Sequence, residues 1–211
     1  MTMPIPPSKL YYPNQIGRIY FDAIEKIIGN QAMPGFLRDC GLERYAAKRP
    51  PSNLSREFDF SDFSMLTAGL AQAEAEGRVP VGSSAEAGRL CFKAGMKGFG
   101  GVAAFGHAAA GLQVLPPVLK LKIGLLAMST IFTTLSDQRT ELVEHEGYFE
   151  YVIVTCPMCW GRHADSPVCQ GAGGLLAEGI EWNMGRPYEV VETSCHACGD
   201  EYCVFRIEKP A

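Results

Sequence analysis

The sequence predicts an α/β fold of the α+β kind, in which a helical N-terminal part packs on a small antiparallel sheet. Three observations carry this. Apolar residues recur at helical spacing through much of the first 136 residues, as in Ile16, Ile19, Tyr20, Ala23, Ile24, Ile27 and Ile28. From Leu142 the pattern changes to β-branched and aromatic runs, with Cys203-Val204-Phe205-Arg206-Ile207-Glu208 alternating at period two. A chain of 211 residues with 47% hydrophobic content is also large enough to bury a core without disulfides.

Taken in order, the Ile16–Ile28 helix has Asn14 as its cap and Gly29-Asn30 as its stop. It reads as a packing or dimerisation helix. A short helix is expected over Phe36–Tyr45, closed by the loop signal Arg49-Pro50-Pro51-Ser52-Asn53, and another from about Phe60 to Glu76. Residues 83–97 form a further helix with Ser83 or Ser84 as cap, Glu86 in the first turn and Gly98 past its end. An apolar helix follows from about Pro116 to Ser136. Beyond it, strands near Leu142, at 148–154, 188–193 and 203–208, with a helix over Pro167–Trp182 between them, give the order β, β, α, β, β. This divides the chain into an N-terminal helical extension, 1–80, and a ligand-binding part, 81–211, whose metal-bearing core is 140–209.

Charge is unevenly distributed. The net charge of −4 combines 12 acidic residues against 4 Lys and Arg from Glu141 onward with 15 Lys and Arg against 11 acids before it. This mild overall acidity excludes a general nucleic-acid binder. Between Arg89 and Ser136 there is no Asp or Glu but five Lys and Arg, and Arg89, Lys93 and Lys97 share one helical face. Such a stretch suits either a buried helix pair with snorkelling lysines or the wall of an apolar cavity for a flat, carboxylate-bearing ligand. The start MTMPIPPSKLYYPNQ has no secretory apolar region, and the ten-residue run Ile123–Phe132 is too short to span a bilayer, so a cytoplasmic setting is expected. In a reducing compartment clustered cysteines are metal ligands or redox groups before they are disulfides.

Six of the eight cysteines lie between Cys156 and Cys203. One metal set pairs Cys156-Pro-Met-Cys159 with Cys195-His-Ala-Cys198 as a four-thiolate ribbon; the 35 residues between Cys159 and Cys195 exceed the ~15–20 usual for one. The other set is Cys169, Glu192, Cys195 and Cys203, three thiolates and a carboxylate, which suits tetrahedral zinc.

The segment CPMCWGRHADSPVCQGAGGLLAEGIEWNMGRPYEVVETSCHACGDEYCVFRIEKP resembles the 4-vinyl reductase domain family. That family's pattern is a Cys before a Gly-containing helix, a strand ending V-x-E-x-x-C, a G-D/N-x-x-C turn and a closing strand. Its phenol-sensing members use Cys, Glu, Cys and Cys as zinc ligands at intervals of 23, 3 and 8 residues, and Cys169, Glu192, Cys195 and Cys203 stand at those intervals. With LYYPNQIGRIYFDAIEKIIG near the start, the chain is also similar to the bacteriochlorophyll-biosynthesis branch of the family in purple phototrophs. The resemblance implies a fold shared with vesicle-tethering TRAPP subunits, a pocket for an apolar ligand, dimerisation through N-terminal helices and a structural zinc. It leaves Cys156, Cys159 and Cys198 as a redox pair, a second or alternative metal site, or buried thiols.

The implied function is a carrier or chaperone for a magnesium tetrapyrrole such as Mg-protoporphyrin IX or divinyl protochlorophyllide, with magnesium chelatase or the following methyltransferase as partners. The ring would lie against Phe92, Phe99, Phe105 and Leu112, with Arg89, Lys93 or Lys97 on its propionates and His107 as an axial ligand. The alternative is an 8-vinyl reductase or a subunit of one. Gly98-Phe99-Gly100-Gly101-Val102-Ala103 fits a dinucleotide string, yet it follows a helix and no acid appears until Asp137. None of His107, His145, His163 and His196 lies in a nucleophile motif, so a non-catalytic binding protein is the stronger expectation.

Overall fold

The structure, a computed structural model, describes residues 5–98 and 114–210. A two-stranded ribbon, β1 (Tyr11–Pro13) with β2 (Arg56–Asp59), begins the fold and pairs Tyr12 with Phe58. Each strand runs straight into a helix, α1 (Asn14–Ile28) and α4 (Phe60–Ala75), and because the strands are antiparallel the two helices leave from opposite ends of the ribbon. Asp59 caps α4 by accepting from Ser61 N at 2.8 Å. The Asn14 cap expected for α1 is corrected: Pro13 is the cap residue. Asn14 is instead buried, and its side-chain amide donates to Asn53 and Glu57, while the N–H groups of Asn14 and Gln15 donate to the carbonyls of Ser55 and Asn53. The helix start is satisfied by the 53–55 loop, which no local signal reveals.

The single helix expected over Phe36–Tyr45 is two, α2 (Met33–Asp39) and α3 (Arg44–Ala47). They are separated at Gly41, whose φ of +71° is left-handed. Helix α5 (Ser83–Gly98) is capped from a distance: neither predicted serine does it, and Glu74 on α4 accepts from Gly82 N at 2.6 Å and Ser84 N at 2.9 Å. Helix α6 (Pro117–Leu135) extends well past the ten-residue apolar run. By length and composition it could cross a membrane, with a mean hydropathy of 1.5, and 22% of that window is buried. Lys122 before the run and Thr133 and Thr134 after it bound the apolar string without ending the helix.

The second half holds a four-stranded antiparallel sheet in the order β3-β4-β6-β5, formed by β3 (Thr140–Glu144), β4 (Tyr148–Ile153), β5 (Val191–Ser194) and β6 (Cys203–Glu208). Phe149, Tyr151 and Ile153 alternate inward on β4, as do Cys203, Phe205 and Ile207 on β6. Helix α7 (Gln170–Met184) lies over this face, where a Cβ added to Gly173 would make ordinary contact with the Phe205 ring at 3.6 Å. It also crosses α5 backbone to backbone. A Cβ on Gly88 would stand 1.9 Å from the Gly171 carbonyl oxygen, and one on Gly174 would stand 1.9 Å from that of Ala85. One apolar cluster joins the parts on either side of residue 80, running from Tyr12, Phe58 and Leu66 to Phe149, Phe205 and Ile207.

Candidate metal centre and ligand cavity

Three pieces of backbone bring five thiols together. The first is the loop after β4, which carries Cys156 and Cys159. It is anchored to α4: Thr67 Oγ1 donates to Met158 O at 2.7 Å and Ser64 Oγ to Trp160 O at 2.8 Å. The second is Cys169, the N-cap residue of α7, where the helix dipole favours a thiolate. The third is the turn from Cys195 to Cys203. It folds through a short 3-10 helix (His196–Cys198) and Gly199, at φ +97°, and is braced by Asp200, which accepts from Cys195 N at 2.7 Å.

The sulfurs are buried and closely spaced. Sγ separations are 3.6 Å for Cys156 and Cys169, 3.4 Å for Cys159 and Cys203, and 3.8 Å for Cys169 with both Cys195 and Cys203. Four thiolates about 2.3 Å from one zinc define tetrahedron edges of about 3.8 Å. The described residues contain two sets whose ligand atoms all lie within 4.8 Å of one another: Cys169, Glu192, Cys195 and Cys203, and Cys156, Cys159, Cys169 and Cys203. Either could hold a metal ion.

Glu192 separates its two oxygens. Oε2 accepts from Cys169 N at 2.9 Å, whereas Oε1 is buried and finds no hydrogen-bond partner among the described residues. Burial, then the charge of Cys195, pushes this carboxyl up to about 8. An orphaned carboxylate oxygen beside three thiols is satisfied by a cation, so the residues present fit zinc, and Cys169, Glu192, Cys195 and Cys203 would hold it. A bound zinc there supplies cross-linking, not chemistry: it would pin the start of α7 to β5 and β6. Cys198 is exposed and outside both sets, so the Cys156/Cys159 knuckle stands with Cys169 and Cys203, and the alternative four-thiolate ribbon with Cys195 and Cys198 is not formed.

Next to this centre lies a cavity of about 440 Å³. Its walls are Ile16, Ile19 and Tyr20 of α1, Cys91, Phe92 and Met96 of α5, Met128, Ile131 and Phe132 of α6, and Leu175 and Leu176 of α7. Tyr151 and Ile153 of β4, with Pro157 and Met158 of the cysteine loop, complete it. Tyr12 OH donates to Gln138 Oε1 inside this lining. Burial pushes the Tyr12 and Tyr20 hydroxyls and the Cys91 thiol well above their ordinary values, so the cavity presents a neutral, apolar surface.

Of the residues expected from sequence, Phe92 lines this cavity. Arg89 pairs with Glu178 at 3.5 Å and Glu181 at 3.8 Å, and Lys93 pairs with Glu178 at 3.2 Å, all across the α5–α7 contact. Arg89 also lines a second cleft, of about 370 Å³, together with Glu192. Lys97 is exposed at the end of α5. Phe99, Phe105, His107 and Leu112, with most of the dinucleotide-like string, lie outside the described residues. The stretch 89–136, read from sequence as a candidate cavity wall, includes the α6 residues that line it, whereas the wall on α1 and the junction of Cys156 and Cys159 with Cys169 and Cys203 are not found from sequence.

Comparison with known proteins gives the sheet and its cysteines a family likeness. Residues 149–209 match the 4-vinyl reductase domain. A curated relative, uncharacterized protein MJ0745 of Methanocaldococcus jannaschii, is 32% identical over 56 residues, which is 26% of this chain and 31% of that protein. The chain therefore aligns with less than a third of that relative's length. Among solved structures, the Fe(II) unliganded H-NOX protein from K. algicida superposes with a TM-score of 0.59 at 12% identity, covering 94% of this chain and 97% of that one. A structure described as "Modulating Heme Redox Potential Through Protein-Induced Porphyrin Distortion" gives 0.56 at 16% identity, covering 93% and 99%. At these identities the likeness is one of fold. It extends over nearly the whole chain, so the N-terminal helices and the cysteine-bearing sheet together make one H-NOX-like arrangement.

Proposed function

We propose that this protein is a zinc-stabilised carrier for a magnesium tetrapyrrole, Mg-protoporphyrin IX or divinyl protochlorophyllide, in bacteriochlorophyll synthesis. In this it would act like BchJ of purple phototrophic bacteria. The observation that carries the reading is the 440 Å³ cavity, which is apolar on nearly every wall and within the ~300–1,000 Å³ range of small-molecule sites. Support comes from the fold, since one solved structure of the same arrangement is described through its heme and porphyrin, and from the 4-vinyl reductase domain match over the cysteine-bearing sheet.

In this reading Phe92 and its aliphatic neighbours bury the ring. Phe99, Phe105 and Leu112, outside the described residues, would be further ring contacts on the strength of the sequence alone, and His107 would be the residue that holds the magnesium. The propionates meet Lys97, or Arg89 and Lys93 once these release Glu178. A zinc held by Cys169, Glu192, Cys195 and Cys203 would fix α7 against the sheet and with it the α7 wall of the cavity. The protein would act as a homodimer with magnesium chelatase, which makes such a cargo, or the Mg-protoporphyrin methyltransferase, which uses it, as its partner. Absorbance titration with Mg-protoporphyrin IX tests the proposal: a red-shifted, saturable Soret band at one ring per chain is expected, and no spectral change with the pigment in large excess over protein refutes it.

A further inference from the structure

The one-ion centre leaves two buried thiols unexplained. Cys156 and Cys159 are not loosely near it, for each sulfur is 3.6 Å or less from a proposed zinc ligand. Their loop is held in place by Thr67, Ser64 and Arg162, all directed at its carbonyls, and not by the thiols themselves. The two metal-competent sets share two members, Cys169 and Cys203, whose sulfurs are 3.8 Å apart.

We propose that the cluster is a two-metal centre in which Cys169 and Cys203 bridge a pair of tetrahedral, thiophilic divalent cations such as zinc. One ion is completed by Glu192 and Cys195, the other by Cys156 and Cys159, and the deepened site rests on the one-ion reading above. The ligand arithmetic closes. Six donors, two of them shared, give each ion four ligands, the number a closed structural zinc site takes. A thiolate sulfur has lone pairs enough to serve two metals, and two tetrahedra sharing an edge need the shared sulfurs about 3.8 Å apart, one tetrahedral edge. The charge also balances better. Five thiolates and a carboxylate carry six negative charges, of which one divalent ion answers two and a pair answers four. The remainder faces the N-terminus of α7 and the His196 N–H, which donates to Cys203 Sγ at 3.3 Å. A cube of iron and sulfide does not fit, since inorganic sulfides between the irons would hold the thiolates farther apart than they stand.

The test is metal content together with cadmium-113 NMR on the full chain, purified with zinc and then exchanged into cadmium. Two metals per chain and two cadmium resonances split by their mutual coupling through the bridging sulfurs are expected. Cys156→Ser/Cys159→Ser should fall to one metal and one unsplit resonance, while Cys198→Ser keeps two. One metal and one resonance in the unaltered chain overturn the two-metal centre and leave the one-ion site standing. No bound metal overturns both, and iron with acid-labile sulfide overturns the proposed ion class. If the double variant does not fold, the splitting in the unaltered chain still decides the matter.

Discussion

The α5–α7 crossing makes the sharpest stability prediction, because neighbouring glycines of one helix should respond to the same substitution with opposite signs. In Gly174→Ala the new methyl would stand 1.9 Å from the Ala85 carbonyl oxygen, where 3.4 Å is the onset of ordinary contact. The helices must therefore part by about 1.5 Å along that line, and since backbone meets backbone no rotamer can relieve it. Overpacking of this kind costs about 1–3 kcal/mol, and the upper end applies here. Alanine returns about 1 kcal/mol of helix propensity. The net loss is about 2 kcal/mol, and at roughly 2–4 °C per kcal/mol for a chain of this size Tm should fall by about 4–8 °C. Gly173→Ala is the control. Its nearest neighbour is the Phe205 ring at 3.6 Å, so the propensity gain stands alone and Tm should rise by up to a few degrees. Thermal unfolding followed by circular dichroism in the zinc-loaded protein reads both. Equal shifts in the two variants would refute the close crossing.

Three other outcomes follow from named contacts. Glu74→Gln should cost about 1 kcal/mol near neutral pH by weakening the cap of α5. Burial raises the Glu74 carboxyl, but the N–H groups of Gly82 and Ser84 outweigh it and the net shift is downward. The stability it contributes is thus present above the ordinary 4.5 and lost as pH falls through the lower folded value, so variant and parent should converge in acid urea melts. Gln138→Leu leaves the buried Tyr12 hydroxyl unpaired in an apolar wall and should cost about 1–3 kcal/mol, most of which Tyr12→Phe in the same chain restores; denaturant midpoints measure both. Ile131→Trp, at the half-open edge of the cavity, should weaken Mg-protoporphyrin binding at least tenfold while moving Tm by only a few degrees, as read by Soret titration beside calorimetry.

What the sequence disclosed and what it hid divide along the range of the interactions concerned. Helix α1 is written in its own periodicity, and β6 in its alternation, because each side chain's burial depends on neighbours one turn or two residues away. The caps of α1 and α5 are hidden, since the groups that satisfy them, the 53–55 loop carbonyls and Glu74, belong to other elements. The same holds for the metal centre. Cys169, Glu192, Cys195 and Cys203 can be recognised by the resemblance of their intervals to the family's ligand pattern, because a single helix-strand-turn-strand unit carries them. Cys156 and Cys159 join them through the pairing of β4 with β6, where Ile153 stands opposite Cys203 and delivers the following loop to the sulfur cluster. A register of that kind cannot be counted along a chain.

That register also ties metal to cavity. Met158 lies between the two loop cysteines, lines the cavity and rests 3.2 Å from where a Gly171 side chain would begin. Ala172, three residues past Cys169, lines the cavity as well. A cation that fixes Cys156, Cys159 and Cys169 therefore fixes two adjoining walls at once. Removing it should loosen the cavity before the rest of the fold, because α1, α4 and the β1–β2 ribbon have their own aromatic contacts, such as Tyr20 stacked on Phe63 at 4.4 Å. If metal is held at a thousandfold over its dissociation constant, its loss costs about 4 kcal/mol, roughly 8–16 °C in Tm. Hydrogen exchange after chelation should then show early loss of protection in 154–172 and in α7, with α1 and α4 retained. Uniform loss across the chain would mean that the metal stabilises the fold as a whole and does not act on the cavity through its walls.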